Sequence, residues 1–248
     1  MSTQLDPLSL SADLLYTVKT EGDADWLRDQ LATLERSRLE RALASRERKL
    51  SFWLNCYNAY GQLLLESEPS LLESDGLSGI LDRWKFFARD RIPIGGTWVS
   101  LNDIEHGLLR SSKHRWGFGY LPRPFPTSFE RRFRLEDCDP RIHFALSRGG
   151  ENCPPITVYS PADVDEELDI AIEWFLEENV DYDPERRVAT IPRLFRRYRG
   201  DFGGRRGIVS FLKKYNAVPD DVTPSLEYEA FDRAPDFDLD LELDELRP

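Results

Sequence analysis

The chain has 248 residues, enough to bury a substantial core, and its content of 40% hydrophobic and 12% aromatic residues is typical of a globular protein. Its formal net charge of −12 and pI near 4.9 argue against nucleic-acid or anionic-membrane binding. No apolar run is long enough to cross a bilayer, and the polar start of the chain does not resemble a signal peptide. We therefore expect a cytoplasmic protein without nucleic-acid or membrane partners.

The composition also bears on the environment of the protein. Arginine far outnumbers lysine, and an acidic chain that avoids lysine fits a high-salt cytoplasm, where carboxylates keep the surface hydrated. This habitat is a hypothesis that a measurement of stability against salt concentration would test. Three cysteines, Cys56, Cys138 and Cys153, form no CxxC pair and are odd in number, so we expect reduced thiols.

The first third of the chain is predicted to be helical. Asp23 could cap a helix that runs from Trp26 to Leu39, and Ser45 could cap the next one. Apolar residues in the second helix recur at helical spacing: Leu50, Trp53, Leu54, Tyr57, Gly61, Leu64 and Leu65. Asn58 lies within this stripe, and a buried amide needs hydrogen-bond partners. The pattern favours a structural amide that ties the helix to a neighbouring loop.

A β-hairpin and a further helix are predicted next. Phe87 to Ile94 would form one arm, Gly95-Gly96 the two-residue turn, and Thr97 to Ser100 the return. The run Ser100-Leu101-Asn102-Asp103 is a capping box that opens a helix. On that helix Glu105 falls inside the predicted buried stripe, and His106 lies at its flank.

The middle of the chain combines a long irregular segment with a predicted central strand. Residues 111–138 are rich in arginine, proline and aromatics, and such a length is typical of a functional or wrapping loop. Arg141 to Leu146 is a short, mostly apolar run that predicts a strand with His143 on the face opposite Ile142. A turn-rich loop, Ser147 to Pro155, follows it.

The last third mixes predicted helices with short extended segments. Ile156 to Tyr159 is predicted to be a short strand, and Ser160-Pro161-Ala162-Asp163 to start a helix. Two more elements are predicted around Ile191 to Tyr198 and Gly207 to Tyr215. From Ala230 onward acids alternate with Leu and Phe, which predicts a solvated tail.

Cys153 is the strongest candidate for chemistry in this sequence. A thiolate is a good nucleophile, but a free thiol needs a base or a positive neighbour to ionise at neutral pH. His143 is the candidate base, and Glu105 or His106 could orient it as the third member of a triad. Asn58 or Asn152 could donate to an oxyanion. Cys56 and Cys138 have no such surroundings and are interpreted as packing residues.

Other interpretations of these residues remain open. Buried cysteines and histidines are common in cores, and Pro154-Pro155 pushes Cys153 towards extended backbone, away from a helix dipole. A zinc site could use His106, His143, Cys153 and Glu105, although their spacing matches no compact zinc pattern. The stretch from Arg193 to Arg206 could bind an anion, but more often such a stretch is a solvated face.

Three motifs together resemble the family called domain of unknown function 547. They are Phe52-Trp53-Leu54-Asn55-Cys56-Tyr57-Asn58-Ala59-Tyr60, Ser100-Leu101-Asn102-Asp103-Ile104-Glu105-His106-Gly107-Leu108-Leu109-Arg110 and Asp139-Pro140-Arg141-Ile142-His143-Phe144-Ala145-Leu146, and the last continues to Cys153-Pro154-Pro155. The resemblance covers about residues 45–215. It implies an α+β domain with the motifs gathered in one region, and no established activity, substrate or cofactor. Bacterial-looking members tend to keep the cysteine, whereas plant-looking members carry serine there.

The resemblance also divides the chain. Residues 45–215 would be the core domain, 1–44 an N-terminal helical extension and 216–248 an acidic tail. The expected fold class is α+β, with the helical N-terminal part packed with a small, mostly antiparallel sheet and C-terminal helices.

The leading hypothesis is a thiol-dependent hydrolase or acyl-transfer site that acts on an unknown small-molecule or peptide substrate and uses no cofactor. In it Cys153 is the nucleophile and His143 the base, with Glu105 or His106 as orienting groups and Asn58 as polar support. The second hypothesis is a non-catalytic interaction module in which Asn58, Glu105, His143 and Arg141 form a buried polar network. The third is a metal-binding protein.

Overall fold

A computed structural model describes residues 6–69, 76–147 and 157–229, with the backbone alone for residues 76–80 and Trp84. The α-helices are α1 (Pro7–Lys19), α2 (Asp25–Ala32), α3 (Arg36–Ala42), α4 (Arg46–Ser67), α5 (Gly76–Ala88), α6 (Ser128–Phe133), α7 (Val164–Asn179), α8 (Leu194–Arg197) and α9 (Gly204–Lys214). The strands are β1 (Ile92–Ile94), β2 (Thr97–Val99), β3 (Asp181–Asp183), β4 (Val188–Pro192) and β5 (Ser225–Glu229). A π-helix (Asp103–Leu109) and a 3₁₀-helix (Pro140–Phe144) complete the elements. The predicted α+β class is confirmed.

Helix α4 is the centre of the larger hydrophobic core. Ser45 caps it as predicted, since its hydroxyl accepts from the backbone N–H of Arg48 at 3.3 Å. Every residue from Leu50 to Gly61 is buried, so α4 is enclosed all round rather than along one stripe. Helix α1 packs along α4, and its leucines belong to the same core. In the described part of the chain no helix combines the length and apolar character that a membrane crossing needs.

The single helix predicted from Trp26 to Leu39 is two helices, α2 and α3. The chain leaves the helical conformation after Ala32, and Glu35 is extended before α3 begins. The hairpin turn supplies the reason: the N–H groups of Gly95 and Gly96 donate to the carbonyls of Leu31 and Ala32, each at 3.0 Å. These contacts satisfy carbonyls at the end of α2 that would otherwise need a further helical turn.

Two small sheets form, where one was expected. The predicted hairpin is present as the antiparallel pair β1–β2, but its first arm is shorter than predicted because Phe87 lies in α5. The other sheet has the order β3–β4–β5, with β3–β4 antiparallel and β4–β5 parallel. The element predicted around Ile191 to Tyr198 is divided between the end of β4 and α8.

The segment predicted as a central strand, Arg141 to Leu146, is helical instead. Asp139 accepts a hydrogen bond from the backbone N–H of Arg141 at 3.0 Å, and Pro140 occupies the first position, so the pair starts a 3₁₀ turn. The predicted alternation of faces is therefore wrong, and Ile142, His143 and Phe144 are all buried. The strand predicted from Ile156 to Tyr159 is also absent from its described residues, 157–159.

The capping box is confirmed, but the helix after it is a π-helix. Asp103 donates its N–H to the hydroxyl of Ser100 at 3.0 Å, and its carboxylate accepts from the N–H of Ser100 at 3.1 Å. The wider turn, with bonds such as Arg110 N–H to the Glu105 carbonyl, buries residues on more sides than an α-helix stripe does. His106, predicted at the flank, is buried beside Glu105 for this reason.

The C-terminal part differs from prediction at both ends. Helix α7 begins at Val164, after a turn in which the Ser160 hydroxyl contacts Asp163, rather than at the proline after Ser160. Residues Ser225–Glu229, within the predicted tail of 216–248, pair with β4 as an edge strand. The remainder of that tail, from Ala230, and the loop of residues 148–156 with Asn152 and Cys153 lie outside the described residues.

The loop of residues 113–122 is held against the turn after α8 by a close backbone approach. Gly200 donates its N–H to the Phe118 carbonyl at 2.7 Å, and a Cβ on Gly200 would lie 2.5 Å from the carbonyl carbon of Gly119. We expect Gly200→Ala to cost about 1–3 kcal/mol of unfolding free energy, because backbone atoms rather than a flexible side chain must shift. Urea denaturation measures this cost.

Gly61→Ala is the matched control for this prediction. A Cβ at Gly61, inside α4, meets its nearest atom at an ordinary 3.9 Å, and alanine is the better helix former. We expect this variant to be neutral or slightly stabilised. Equal losses in the two variants would show that the close approach does not constrain the loop.

Candidate active site

Three segments of the chain bring buried polar side chains into contact with one another. The π-helix contributes Arg110 at its C-terminal end, the 3₁₀-helix contributes His143, and the turn after α8 contributes Asp201. One oxygen of Asp201, Oδ2, accepts from Nε of Arg110 at 2.7 Å and contacts Nε2 of His143 at 2.9 Å. All three side chains are 0% exposed, so the arrangement is a fully desolvated carboxylate between two nitrogen donors.

The protonation of Asp201 follows from this geometry. Burial alone would raise the pKa of the carboxyl, but the hydrogen bond and charge of His143, together with Arg110, lower the pKa to about 2. Asp201 is therefore a carboxylate at neutral pH. A carboxylate hydrogen-bonded to one imidazole nitrogen orients the ring and stabilises its protonated form, which is the role of the acid in a catalytic triad.

An aromatic stack fixes the plane of the imidazole. The ring of His143 lies on the ring of Tyr198, with centroids 3.7 Å apart and planes at 20°. The guanidinium of Arg110 lies over the same tyrosine ring at 4.7 Å. Described residues therefore fix the orientation of the His143 ring and occupy its Nε2 atom. In a triad, Nδ1 would be the nitrogen that takes the proton of the nucleophile.

Glu105 and His106 lie beside this group but have other partners. Glu105 accepts from the hydroxyl of Tyr198 at 2.6 Å and from that of Tyr57 at 3.5 Å. His106 Nδ1 lies 2.9 Å from Nη1 of Arg110, which can only donate, so Nδ1 accepts and Nε2 carries the hydrogen. Burial lowers the pKa of His106 well below its usual value, so the ring is neutral. The carboxylate on His143 is thus Asp201, whereas Glu105 positions the tyrosine beneath the imidazole.

Two asparagines of α4 hold both ends of the segment that contains Cys153. The amide of Asn58 donates to the carbonyl of Ala145 and accepts from the N–H of Ser147, both at 2.9 Å. Asn55, one turn earlier, donates to the carbonyl of Tyr159 and accepts from its N–H, also at 2.9 Å. Asn58 thus has the structural role that the sequence favoured. We call these two contacts the asparagine clamps; Cys153 itself lies outside the described residues.

Three side chains at this site could together bind a metal ion, but the neighbouring charges oppose metal binding. Among the described residues, Cys138, His143 and Asp201 have ligand atoms within 4.8 Å of one another. The guanidinium of Arg110 already occupies Asp201 Oδ2, and burial raises the pKa of the Cys138 thiol, so a thiolate ligand is disfavoured. Glu105 and His106, which the metal hypothesis needed, bind Tyr198 and Arg110 instead.

The other cysteine and Arg141 have structural surroundings. Cys56 is completely buried in α4, and burial raises the pKa of its thiol, as expected of a packing residue. Arg141, placed by one hypothesis in the buried network, forms ion pairs with the largely buried Asp139 and with the more exposed Asp165 and Asp169. These pairs tie the start of the 3₁₀-helix to α7 and do not reach His143.

Several residues of this site were not predicted from the sequence. Asn55 and Arg110 lie inside the conspicuous motifs, where their polar character amid apolar neighbours was the available signal. Tyr198 and Asp201 lie in an arginine-rich stretch that was interpreted as a solvated face. Asp201 is 58 residues from His143 along the chain, and no local pattern joins them.

Comparison with known proteins gives one match. Residues 41–176, which are 136 of the 248 residues, match the family model described as "Protein of unknown function, DUF547". Searches of curated proteins and of solved structures gave no match. The match includes the asparagine clamps, Glu105, His106, Arg110 and His143, and it ends before Tyr198 and Asp201.

Proposed function

The chain belongs to the family described as Protein of unknown function, DUF547, and we propose that it is a cysteine-dependent hydrolase or acyl transferase. Cys153 is the proposed nucleophile, His143 its base, and Asp201 the acid that orients the base. The observation that carries the proposal is the completely buried hydrogen bond between His143 Nε2 and Asp201 Oδ2. An acid and an imidazole at this distance match two members of a triad, and the proposal adds Cys153 as the nucleophile.

The position of Cys153 along the chain supports this assignment. It lies midway between Ser147 and Tyr159, whose backbones are held by the asparagine clamps on one turn of α4. His143 is four residues before Ser147, so base and nucleophile belong to neighbouring stretches of chain. Contrary to the interpretation from sequence, Cys138 has its sulfur within 4.8 Å of ligand atoms of His143 and Asp201. Burial raises the thiol pKa of both Cys56 and Cys138, which favours Cys153 as the thiol that ionises.

The proposed reaction is transfer of an acyl group through a thioester. His143 takes the thiol proton of Cys153 at Nδ1, and the thiolate attacks the carbonyl carbon of an ester, thioester or amide. The leaving group departs with the proton held by His143, and Cys153 is left acylated. Water or another nucleophile then attacks the thioester, gives up a proton to His143 and restores the thiol. Asp201 stabilises the imidazolium in both steps.

The expected result of alkylation with iodoacetamide is one fast thiol, Cys153, in the folded protein. An ionised thiol should react about tenfold or more faster than a free cysteine at slightly acidic pH. Asp201→Asn should remove most of this acceleration, because the imidazolium loses its carboxylate. The measurement is the alkylation rate of each cysteine against pH, followed by peptide mass spectrometry.

The other two thiols serve as internal controls. Cys56 is completely buried and should stay unreacted in every folded variant, so its labelling would report unfolding rather than chemistry. Cys138 is half-buried, and because burial raises the pKa of its thiol it should react more slowly than Cys153. Cys153→Ala should abolish the fast reaction, and Asp220→Asn, an exposed acid, should leave it unchanged. A slow Cys153 in wild-type protein would contradict the proposal and favour the interaction module, in which His143 and Asp201 only stabilise the fold.

A further inference from the structure

A cleft beside the π-helix is lined by positive and hydrogen-bond-donating side chains. Its volume is about 270 Å³, and it lies between the π-helix and the loop of residues 113–122. Its lining residues are Asn102, His106, Lys113, His114, Arg115, Trp116, Arg123 and Pro124. None of these is acidic, although the chain as a whole carries a net charge of −12. We call this space the basic cleft.

Arg115 has hydrogen-bond donors in the basic cleft that no described residue satisfies. Its Nε and Nη1 atoms are buried without a hydrogen-bond acceptor among the described residues. No carboxylate of the described chain forms a salt bridge with it, and its guanidinium lies 5.0 Å from the Trp116 ring centroid. Burial, and then the neighbouring charge of Arg197, lower its pKa to about 10, although the charge of Glu105 acts in the opposite direction. Arg115 as a whole is half-buried, and a partly desolvated cation with unsatisfied donors gains stability when an anion joins it.

Two further basic side chains of the lining are held in place by other described residues. Lys113 donates to the carbonyl of Gly119 at 2.6 Å, and its nearest carboxylate oxygen, on Asp201, is 4.0 Å away. Arg123 is paired with Asp103 at 2.7 Å and lies 3.6 Å from Glu130, so acids outside the lining already compensate its charge. These contacts hold two more donor groups in place at the lining.

Both histidines of the cleft are arranged to donate. His106 accepts at Nδ1 from Arg110, and His114 accepts at Nδ1 from the backbone N–H of Trp116 at 3.2 Å. A neutral imidazole that accepts at Nδ1 carries its hydrogen on Nε2. Each ring therefore has an Nε2–H that can donate to an anion.

We propose that the basic cleft binds the phosphate group of a phosphorylated small molecule. Besides Arg115, the lining offers Lys113, Arg123 and two imidazole donors, and none of its described residues is a carboxylate. This set of donors suits a tetrahedral dianion with several acceptor oxygens. A single carboxylate would satisfy the fork of Arg115 but would leave the other donors without a partner. This inference rests on the described residues alone and is independent of the proposed thiol chemistry.

The test is binding of inorganic phosphate to the full chain, measured by calorimetry and by the rise in melting temperature with phosphate concentration. The reference is sodium chloride at matched ionic strength. Arg115→Gln should weaken phosphate binding about tenfold or more, since it removes a charge-assisted donor pair. Arg206→Gln, which removes the same charge from an exposed position on α9, should change the affinity less than about twofold.

A second readout separates binding from folding. Without phosphate, Arg115→Gln should be at least as stable as wild type, because a partly desolvated cation with unsatisfied donors has been removed. Arg115→Lys keeps the charge but loses the fork, and should bind phosphate with intermediate affinity. Absence of phosphate-specific stabilisation in wild type, or equal weakening by Arg115→Gln and Arg206→Gln, would overturn the proposal. Thiol alkylation at Cys153 is not expected to depend on Arg115.

Discussion

Replacing Asp201 by alanine is expected to lower the free energy of unfolding by about 3–5 kcal/mol, because breaking a buried ion pair leaves its partner charge uncompensated. Arg110 and His143 would keep their buried nitrogens without the oxygen that both now contact. Burial is complete for all three side chains, so water cannot replace the lost acceptor without rearrangement. Chemical denaturation of the two proteins at neutral pH measures the difference.

The Asp201 carboxylate also makes the free energy of unfolding depend on pH in the acid range. The pKa of Asp201 is lowered from 3.8 to about 2 in the folded chain, so its stabilising contribution is fully present above 3.8. This contribution is lost as the pH falls from 3.8 towards 2, and it amounts to about 2 kcal/mol of unfolding free energy. Wild-type protein should therefore lose more stability across this interval than Asp201→Ala does.

Asp220→Ala is the control for both measurements. Asp220 is exposed, and the contact it makes to Lys213 uses its backbone carbonyl, which the substitution keeps. Its effect should stay within about 0.5 kcal/mol. If Asp201→Ala cost less than about 1 kcal/mol, the buried carboxylate would not be the anchor of His143, and the triad assignment would lose its support.

The parts of the fold that could be predicted are those with complete local signals. Ser45 as a helix cap, the Gly95-Gly96 turn and the Ser100–Asp103 capping box are each decided by a few adjacent residues. The resemblance carried by three motifs was also confirmed by the family match. In such segments the sequence and the tertiary structure favour the same conformation.

Errors arose where tertiary contacts or competing local signals decided the structure. The apolar run from Arg141 to Leu146 predicted a strand, but Asp139 and Pro140 just before it start a 3₁₀ turn. The break between α2 and α3 depends on donors from Gly95 and Gly96, more than 60 residues along the chain. Neither hydrophobic spacing nor helix propensity contains that information.

The candidate site was only partly predictable for the same reason. His143, Glu105 and Asn58 stood out as polar residues in apolar elements, and all three are buried with specific partners. The partner of His143 did not stand out, because Asp201 comes from a turn in an arginine-rich stretch. Glu105 and His106 were suggested as orienting groups because they are polar residues on an apolar helix, whereas the carboxylate that contacts His143 belongs to Asp201.

Removing either asparagine clamp is expected to cost about 2–4 kcal/mol. Asn55→Ala would leave the buried N–H and carbonyl of Tyr159 without partners, and Asn58→Ala would do the same to the Ser147 N–H and the Ala145 carbonyl. Each buried polar group that loses its hydrogen-bond partner costs about 1–3 kcal/mol, and each variant leaves two such groups without a partner. Thermal and urea unfolding of both variants measure these costs.

The two clamps should also be energetically coupled, because they hold opposite ends of one segment. Once one end is released, the freed chain can rearrange to satisfy groups at the other, so the double variant should lose less than the sum of the single losses. Asn179→Ala, which removes a single local bond to the Phe175 carbonyl near the end of α7, is the matched control and should cost less than about 1 kcal/mol. Strict additivity in the double variant would mean that each clamp stabilises only its own backbone contact. Coupling would instead show that α4 holds the Cys153 segment as one unit, which a nucleophile delivered to His143 requires.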